Sequence, residues 1–141
     1  MKNLEEDSKI DTIELDEERA KKAKANIETM GFSNNINVIQ GDAVDILQTL
    51  ECQYDVIFID AAKGKYPIFL NEAIRLSKNG TYIFADNVLY KGYVLSDYNK
   101  HKQRTAVRHL REFLKEIEEN ENLDSQLLEV GDGLSISKVI K

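Results

Sequence analysis

Apolar and polar residues change their spacing several times along the chain, and each change marks an element. Residues 9 to 15, KIDTIEL, alternate apolar and polar side chains and predict a short strand. Ala20, Ala23, Ile27 and Met30 then recur at helical spacing. Asp16 suits the N-cap, Glu17 and Glu18 the first turn, and Gly31 the stop. A strand at 36 to 40, INVIQ, precedes a helix from about Ala43 to Leu50. Within 54 to 60, Val56, Ile57, Phe58 and Ile59 form a continuous apolar run, as expected of a strand covered on both faces. Pro67 opens the next helix, which Ile68, Phe69, Ala73, Ile74 and Leu76 carry towards Lys78. Gly80 then marks a turn before a strand at 81 to 85, TYIFA. A long helix over about 100 to 119 has Val107, Leu110, Leu114 and Ile117 on one stripe. Two last strands, at about 126 to 130 and 134 to 140, flank the turn GDG at 131 to 133.

Strand and helix alternate along most of the chain, which predicts an α/β fold with a mainly parallel sheet and an antiparallel hairpin at one edge. The 141 residues suit a single domain, with no repeat and no linker. Composition adds little to this picture: 42% hydrophobic and 31% charged residues are ordinary for a globular protein, and no apolar run could span a bilayer. The start of the chain lacks the apolar core of a signal peptide, and Cys52, the single cysteine, has no partner for an internal disulfide. A cytoplasmic location is therefore expected, with Cys52 as a core or loop thiol. The formal net charge of -6 argues against nucleic-acid binding by bulk charge. Its distribution is uneven, because Lys91 to Arg111 holds Lys91, Lys100, Lys102, Arg104, Arg108 and Arg111 against one acid, Asp97, together with His101 and His109.

In parallel α/β sheets ligands bind beyond the carboxyl ends of the strands, so residues that end strands are the candidates for chemistry. They are Glu14, Asp42, Asp60 and the pair Asp86 and Asn87. Glu14 could accept hydrogen bonds from ribose hydroxyls, or be a solvated acid beside a helix start. Asp42 could be an N-cap, with the Gly41-Asp42-Ala43 backbone also placed to bracket an adenine ring. Asp60, Asp86 and Asn87 could converge on one hard cation such as Mg²⁺, or separately cap a helix and form a turn. Lys63, three residues after Asp60, is either a solvated lysine or, beside a cation that lowers its pKa, a base. Lys65 reads as facing water, and Tyr66 as packing on the loop, with lining the pocket as the alternative.

Together IELDEERAKKAKANI, GDA, FIDAAKGKY, ADNVLYKG and GDGLSISK resemble the cation-dependent S-adenosylmethionine O-methyltransferases, which include catechol and caffeoyl-CoA O-methyltransferases and a bacterial branch that methylates 5-hydroxyuridine in tRNA. The resemblance covers essentially the whole chain. It implies a Rossmann-like methyltransferase sheet, with Asp60, Asp86 and Asn87 holding Mg²⁺ or Mn²⁺ and Lys63 as the catalytic base. It implies a cofactor set of Glu14 at the ribose, Asp42 and Ala43 near the adenine, and Asp60, shared with the cation. The implied acceptor is a small catechol-like molecule or a tRNA nucleoside, and His101, Arg104, Arg108 and Arg111 could then face RNA phosphate. No membrane partner is implied.

The family opens its domain with a strand and a glycine-rich turn that carries the methionine end of the cofactor, and neither stands before Ile10. The first strand and helix are expected to be missing, with MKNLEED as the tail of that helix. Edges left open in this way would have to close, pair with another chain as in a homodimer, or weaken the fold. Weak or absent binding of S-adenosylmethionine by this chain alone is expected. Two competing functions remain at this point: a nicotinamide dehydrogenase using Glu14, which leaves the Asp60, Lys63, Asp86 and Asn87 set unused, and an inactive remnant or binding module.

Overall fold

The structure, a computed structural model, describes residues 7–96 and 101–141, and the side chains of residues 101 and 102 lie outside that description, as do Asp97, Lys100 and residues 1–6 of the expected helix tail MKNLEED, whose last residue, Asp7, is in a turn. The chain forms two compact units, Met1–Leu50 and Glu51–Lys141, each with its own sheet.

In the first unit, β1 (Ile10–Glu14) and β2 (Ile36–Gln40) pair in parallel from Ile10 opposite Ile36 to Glu14 opposite Gln40. Between them runs α1 (Glu17–Thr29), started by Asp16, whose carboxylate accepts from Arg19 N at 2.8 Å. Gly31 ends the helix with φ 76°, a left-handed conformation that a side chain disfavours. Met30, expected on the apolar stripe, is 66% exposed, although its backbone is still in the right-handed helical region and its N–H donates to Asn26 O at 3.0 Å. After β2 comes α2 (Ala43–Thr49). The hydrophobic core here is thin, with Ala20 and Val38 as its buried side chains among the described residues.

The second unit is built on a four-stranded sheet of order β3-β4-β6-β5, from β3 (Tyr54–Ile59), β4 (Ser77–Asp86), β5 (Leu123–Leu128) and β6 (Leu134–Val139). The β3–β4 pair is parallel, and β6 runs antiparallel to both β4 and β5, which is the expected hairpin. The helices are α3 (Tyr66–Arg75) and α4 (His101–Glu119). Their buried Phe69, Leu70, Ala73, Val107, Leu110, Phe113 and Ile117 form one core with Ile59, Ile83, Ala85 and Val139 of the sheet. Burial of each large apolar side chain in such a core contributes about 1.5–3 kcal/mol.

Three expectations change. β4 begins at Ser77, before Gly80 rather than after it, and Gly80 (φ 90°) sits in a bulge where the pairing passes from Tyr54 opposite Ser77 to Val56 opposite Tyr82; Thr81 Oγ1 bridges it, accepting from Lys78 N at 3.0 Å and donating to Tyr54 O at 2.6 Å. β5 begins at Leu123, three residues before its expected start, with Leu123 paired to Val139. The apolar run of β3 is not covered on both faces: Ile59 is buried, whereas Val56 is 59% and Phe58 61% exposed on the opposite face.

Candidate active site

The strand ends of the Met1–Leu50 unit use their acids locally. Glu14 Oε1 accepts from Asp16 N at 2.8 Å and lies 3.5 Å from the Arg19 guanidinium. Asp42 caps α2, its Oδ1 accepting from Val44 N at 2.9 Å, with Ala43 as the first helical residue. Both acids therefore do what a carboxylate next to a helix start does by default, satisfying backbone N–H groups the helix cannot reach. Each is only half-buried, so neither is closed to a ligand.

In the Glu51–Lys141 unit the chain is arranged differently. After Asp60 it does not enter a helix directly: a 3₁₀ turn, Lys63–Lys65, intervenes before α3 starts at Tyr66 with Pro67 in its first turn. Ala62 and Lys65 stand at the two N-cap positions without a side-chain cap bond, so Asp60 is not a cap and remains 55% exposed. The turn folds the Lys63 side chain inward, to 17% exposure. Lys63 Nζ donates to Tyr66 Oη at 2.7 Å, to Asp86 O at 3.3 Å and to Asn87 Oδ1 at 3.3 Å, and stands 3.5 Å from Asp60 Oδ1. Lys65, expected in solvent, is half-buried, and its N–H donates to Ala62 O at 2.9 Å to close the turn.

Asp86 and Asn87 end β4. Asp86 Oδ1 accepts from Asn87 N at 2.7 Å, and Asn87 has φ 56°. Tyr90, Lys91 and Gly92 follow with φ 48°, 53° and 78°. Left-handed backbone at non-glycine residues persists where neighbours over-determine it, and here the GDG turn between β5 and β6 does so. Val88 N donates to Gly133 O at 3.2 Å, Leu89 N to Asp132 O at 3.0 Å, and Lys91 N to Asp132 Oδ1. Gly133 has φ 84°, and a Cβ there would lie 2.5 Å from Leu89 Cγ. The GDG turn thus has to be glycine at its second end for the loop bearing Asn87 to lie on it.

Asp60, Lys63, Asn87 and the main-chain carbonyl of Asp86 therefore come together at the ends of β3 and β4. Among the described residues no group of three or more His, Cys, Asp or Glu side chains could hold a metal. The oxygens gathered here are instead one carboxylate, of Asp60, one carboxamide, of Asn87, and the main-chain carbonyl of Asp86, hard donors of the type Mg²⁺ and Mn²⁺ take. An ammonium already sits against three of their oxygens, so the chemistry of these residues fits a cation.

Tyr66, expected to pack on the loop rather than line a pocket, does pack, and its hydroxyl also reaches the cluster. It is 0% exposed, its ring meets Phe113 edge to face at 5.5 Å, and its hydroxyl donates to Asp86 O at 2.6 Å while accepting from Lys63. Burial, reinforced by the negative charge of Asp60, pushes its pKa up, so it stays a neutral phenol. Its place three residues after Lys63, at the start of a helix, is the pattern that could have found it.

The basic stretch is exposed at Arg104, Arg108 and Arg111, and the last two have local partners. Arg111 donates to Val94 O at 3.1 Å and Ser96 O at 2.8 Å, tying α4 to the loop after β4, and Arg108 lies 3.8 Å and His109 3.0 Å from the carboxylate of Glu112. Cys52 is an exposed loop thiol whose Sγ donates to the Tyr54 hydroxyl at 3.1 Å. Among the described residues no helix is long and apolar enough to cross a membrane.

Residues 1–140 match the family model described as O-methyltransferase. The chain is 34% identical to a catechol O-methyltransferase of Niastella koreensis over 96% of its own length and 64% of the relative's. Its fold superposes on the O-methyltransferase from Bacillus cereus in complex with SAH with a TM-score of 0.83, 30% identity, and coverage of 93% of this chain and 62% of that one. For the O-methyltransferase TomG of Streptomyces achromogenes in complex with SAM the TM-score is 0.87, at 26% identity, covering 98% of this chain and 65% of that one. The chain thus spans less than two thirds of the length of these relatives.

Proposed function

The chain belongs to the O-methyltransferase family, and from that premise we propose that it serves S-adenosylmethionine-dependent, divalent-cation-dependent methyl transfer to a hydroxyl of an acceptor that presents two adjacent oxygens, of the catechol type. The observation that carries this is the Lys63 ammonium gathered with Asp60, Asn87 and the Asp86 carbonyl at two adjacent strand ends. A nicotinamide dehydrogenase has no use for that cluster.

Methyl transfer from a sulfonium to oxygen is an in-line displacement: the carbon–oxygen bond forms as the carbon–sulfur bond breaks, and the acceptor hydroxyl gives up its proton. The protein's work is to hold donor and oxyanion in line and to take that proton. Asp60, Asp86 and Asn87 would hold Mg²⁺ or Mn²⁺. When bound, the cation supplies a Lewis acid that lowers the pKa of the acceptor hydroxyl and orients its two oxygens. Lys63, half-sheltered and aimed at the same oxygens, takes the proton or pairs with the oxyanion. Glu14 would accept from the ribose hydroxyls of S-adenosylmethionine, and Asp42 and Ala43 would bracket its adenine.

5-Hydroxyuridine in tRNA offers the same paired oxygens through O4 and O5. The exposed pair of Arg108 with Glu112 is too weak to decide for or against an RNA-facing α4, and the catechol-type acceptor is preferred because a relative at 34% identity is a catechol O-methyltransferase. The test is transfer of labelled methyl to a catechol and to 5-hydroxyuridine tRNA, with Mg²⁺ and with a chelator, at S-adenosylmethionine concentrations high enough to offset the weak binding expected of this chain; no transfer to either acceptor would favour the inactive remnant. Methylation of the catechol that the chelator abolishes is expected. Methylation that survives chelation would remove the cation from the proposal, and methylation of the tRNA alone would replace the acceptor.

A further inference from the structure

Lys63 has several partners, and one of them is closer than the rest. Tyr66 Oη accepts from Nζ at 2.7 Å, against 3.3 Å to Asp86 O and Asn87 Oδ1 and 3.5 Å to Asp60 Oδ1. The more distant side-chain oxygens are those assigned to the cation, whereas the phenol is the contact a cation does not claim. The same phenol donates to Asp86 O at 2.6 Å, so one hydroxyl ties the amine of the turn after β3 to the backbone at the end of β4. Its own position is fixed from behind: the ring is fully buried on Phe113 of α4, and the Lys63 ammonium lies 4.8 Å from the ring centroid. A free lysine side chain carries about 2 kcal/mol of rotamer entropy, which a base poised at a fixed distance from its proton has to have given up beforehand.

We propose that Tyr66 is a positioning residue, its hydroxyl bridging the Lys63 amine to the Asp86 carbonyl and so holding Lys63 in place whether or not a cation occupies the strand ends. The functional consequence rests on Lys63 being the base; the restraint itself does not.

Tyr66→Phe keeps the ring and removes only the bridge, and three measurements on the 141-residue chain read the result. In NMR relaxation, the Lys63 Cε methylene becomes mobile in Tyr66→Phe. In thermal denaturation, the midpoint falls by only a few degrees, as about 1 kcal/mol for one hydrogen bond requires. In methyl transfer, kcat falls about tenfold while KM for S-adenosylmethionine stays within about twofold, and Tyr66→Phe adds no further loss on a Lys63→Met background. A Lys63 that keeps its order without the hydroxyl overturns the proposal, as does a loss that adds in full to that of Lys63→Met. Full activity in Lys63→Met would sink the base assignment instead, and the relaxation comparison would still decide the restraint. Should Tyr66→Phe not fold, the coupling is read from the other end: the Tyr66 ring carbon resonance next to the hydroxyl must shift in Lys63→Met, and an unchanged resonance overturns the proposal.

Discussion

At the end of β1, Glu14 accepts from a backbone N–H two residues away, and at the end of β2, Asp42 does the same. At the ends of β3 and β4, by contrast, Lys63 reaches Asn87, 24 residues away. The residue types are alike, and the difference lies in where the next helix starts. α1 and α2 begin within three residues of Glu14 and Asp42, so their orphan N–H groups claim the carboxylates. α3 begins at Tyr66, behind a 3₁₀ turn, and has no side-chain cap. Setting the helix back frees Asp60 and folds Lys63 in. Acids in the Met1–Leu50 unit should therefore report mainly on stability when changed, and groups in the β3–β4 cluster mainly on chemistry.

The largest effect should come from Lys63. Lys63→Met, of similar length and without the amine, should lower kcat by about 10²–10⁴-fold, while circular dichroism and the unfolding midpoint stay near those of the unchanged chain. A collapse in stability would place Lys63 on the structural side of the comparison. Next in size is Gly133→Ala. The added Cβ meets Leu89 and sits at φ 84°, so about 2–3 kcal/mol of stability should be lost in urea denaturation. Because the GDG turn carries the loop that bears Asn87, cation affinity should fall as well, measured by Mn²⁺ titration. Unchanged stability would mean that the loop moves aside without penalty.

How much of this was readable in the chain differs between the two regions. The β1 and β2 ends were legible almost in full, because Asp16 and Asp42 act within three residues and local hydrogen bonding is a local pattern. The alternation of elements and the closing antiparallel hairpin also followed from period and punctuation. Family motifs marked Asp60, Lys63, Asp86 and Asn87, whereas the Tyr66 hydroxyl escaped, since a tyrosine among apolar helix residues reads as core until its hydroxyl partner, on another strand, is known. Gly80 was legible in part: it does mark a break in the pairing, but the break is a bulge inside β4 that the Thr81 hydroxyl bridges to Tyr54 O. The exposed Val56 and Phe58 mark the other failure, because an apolar run states what a strand would bury and not what is present to cover it.

Glu14 tests whether a locally bonded acid can also serve a ligand. Glu14→Gln keeps an oxygen to accept from Asp16 N, so stability should change by less than about 0.5 kcal/mol. If Glu14 also grips a ribose, loss of the charge should weaken S-adenosylmethionine about tenfold by calorimetric titration, the size of one charge-assisted hydrogen bond. An unchanged dissociation constant would return Glu14 to a purely local role.

Asp42 is the sharpest case, because one carboxylate oxygen visibly caps α2 and the residue also stands where an adenine is proposed. Asp42→Ala removes the acceptor for Val44 N and should cost about 1 kcal/mol. Asp42→Ser restores a capping oxygen without charge, so the stability should return. The two readings then separate on the ligand. If Asp42 is only a cap, Asp42→Ser binds S-adenosylmethionine as the unchanged chain does, since the backbone of Ala43 is again held at the helix start. If the carboxylate itself faces the nucleoside, stability recovers while affinity does not. The first outcome keeps the contrast between the two regions intact. The second would show that one half-buried acid can satisfy a helix end and a ligand together.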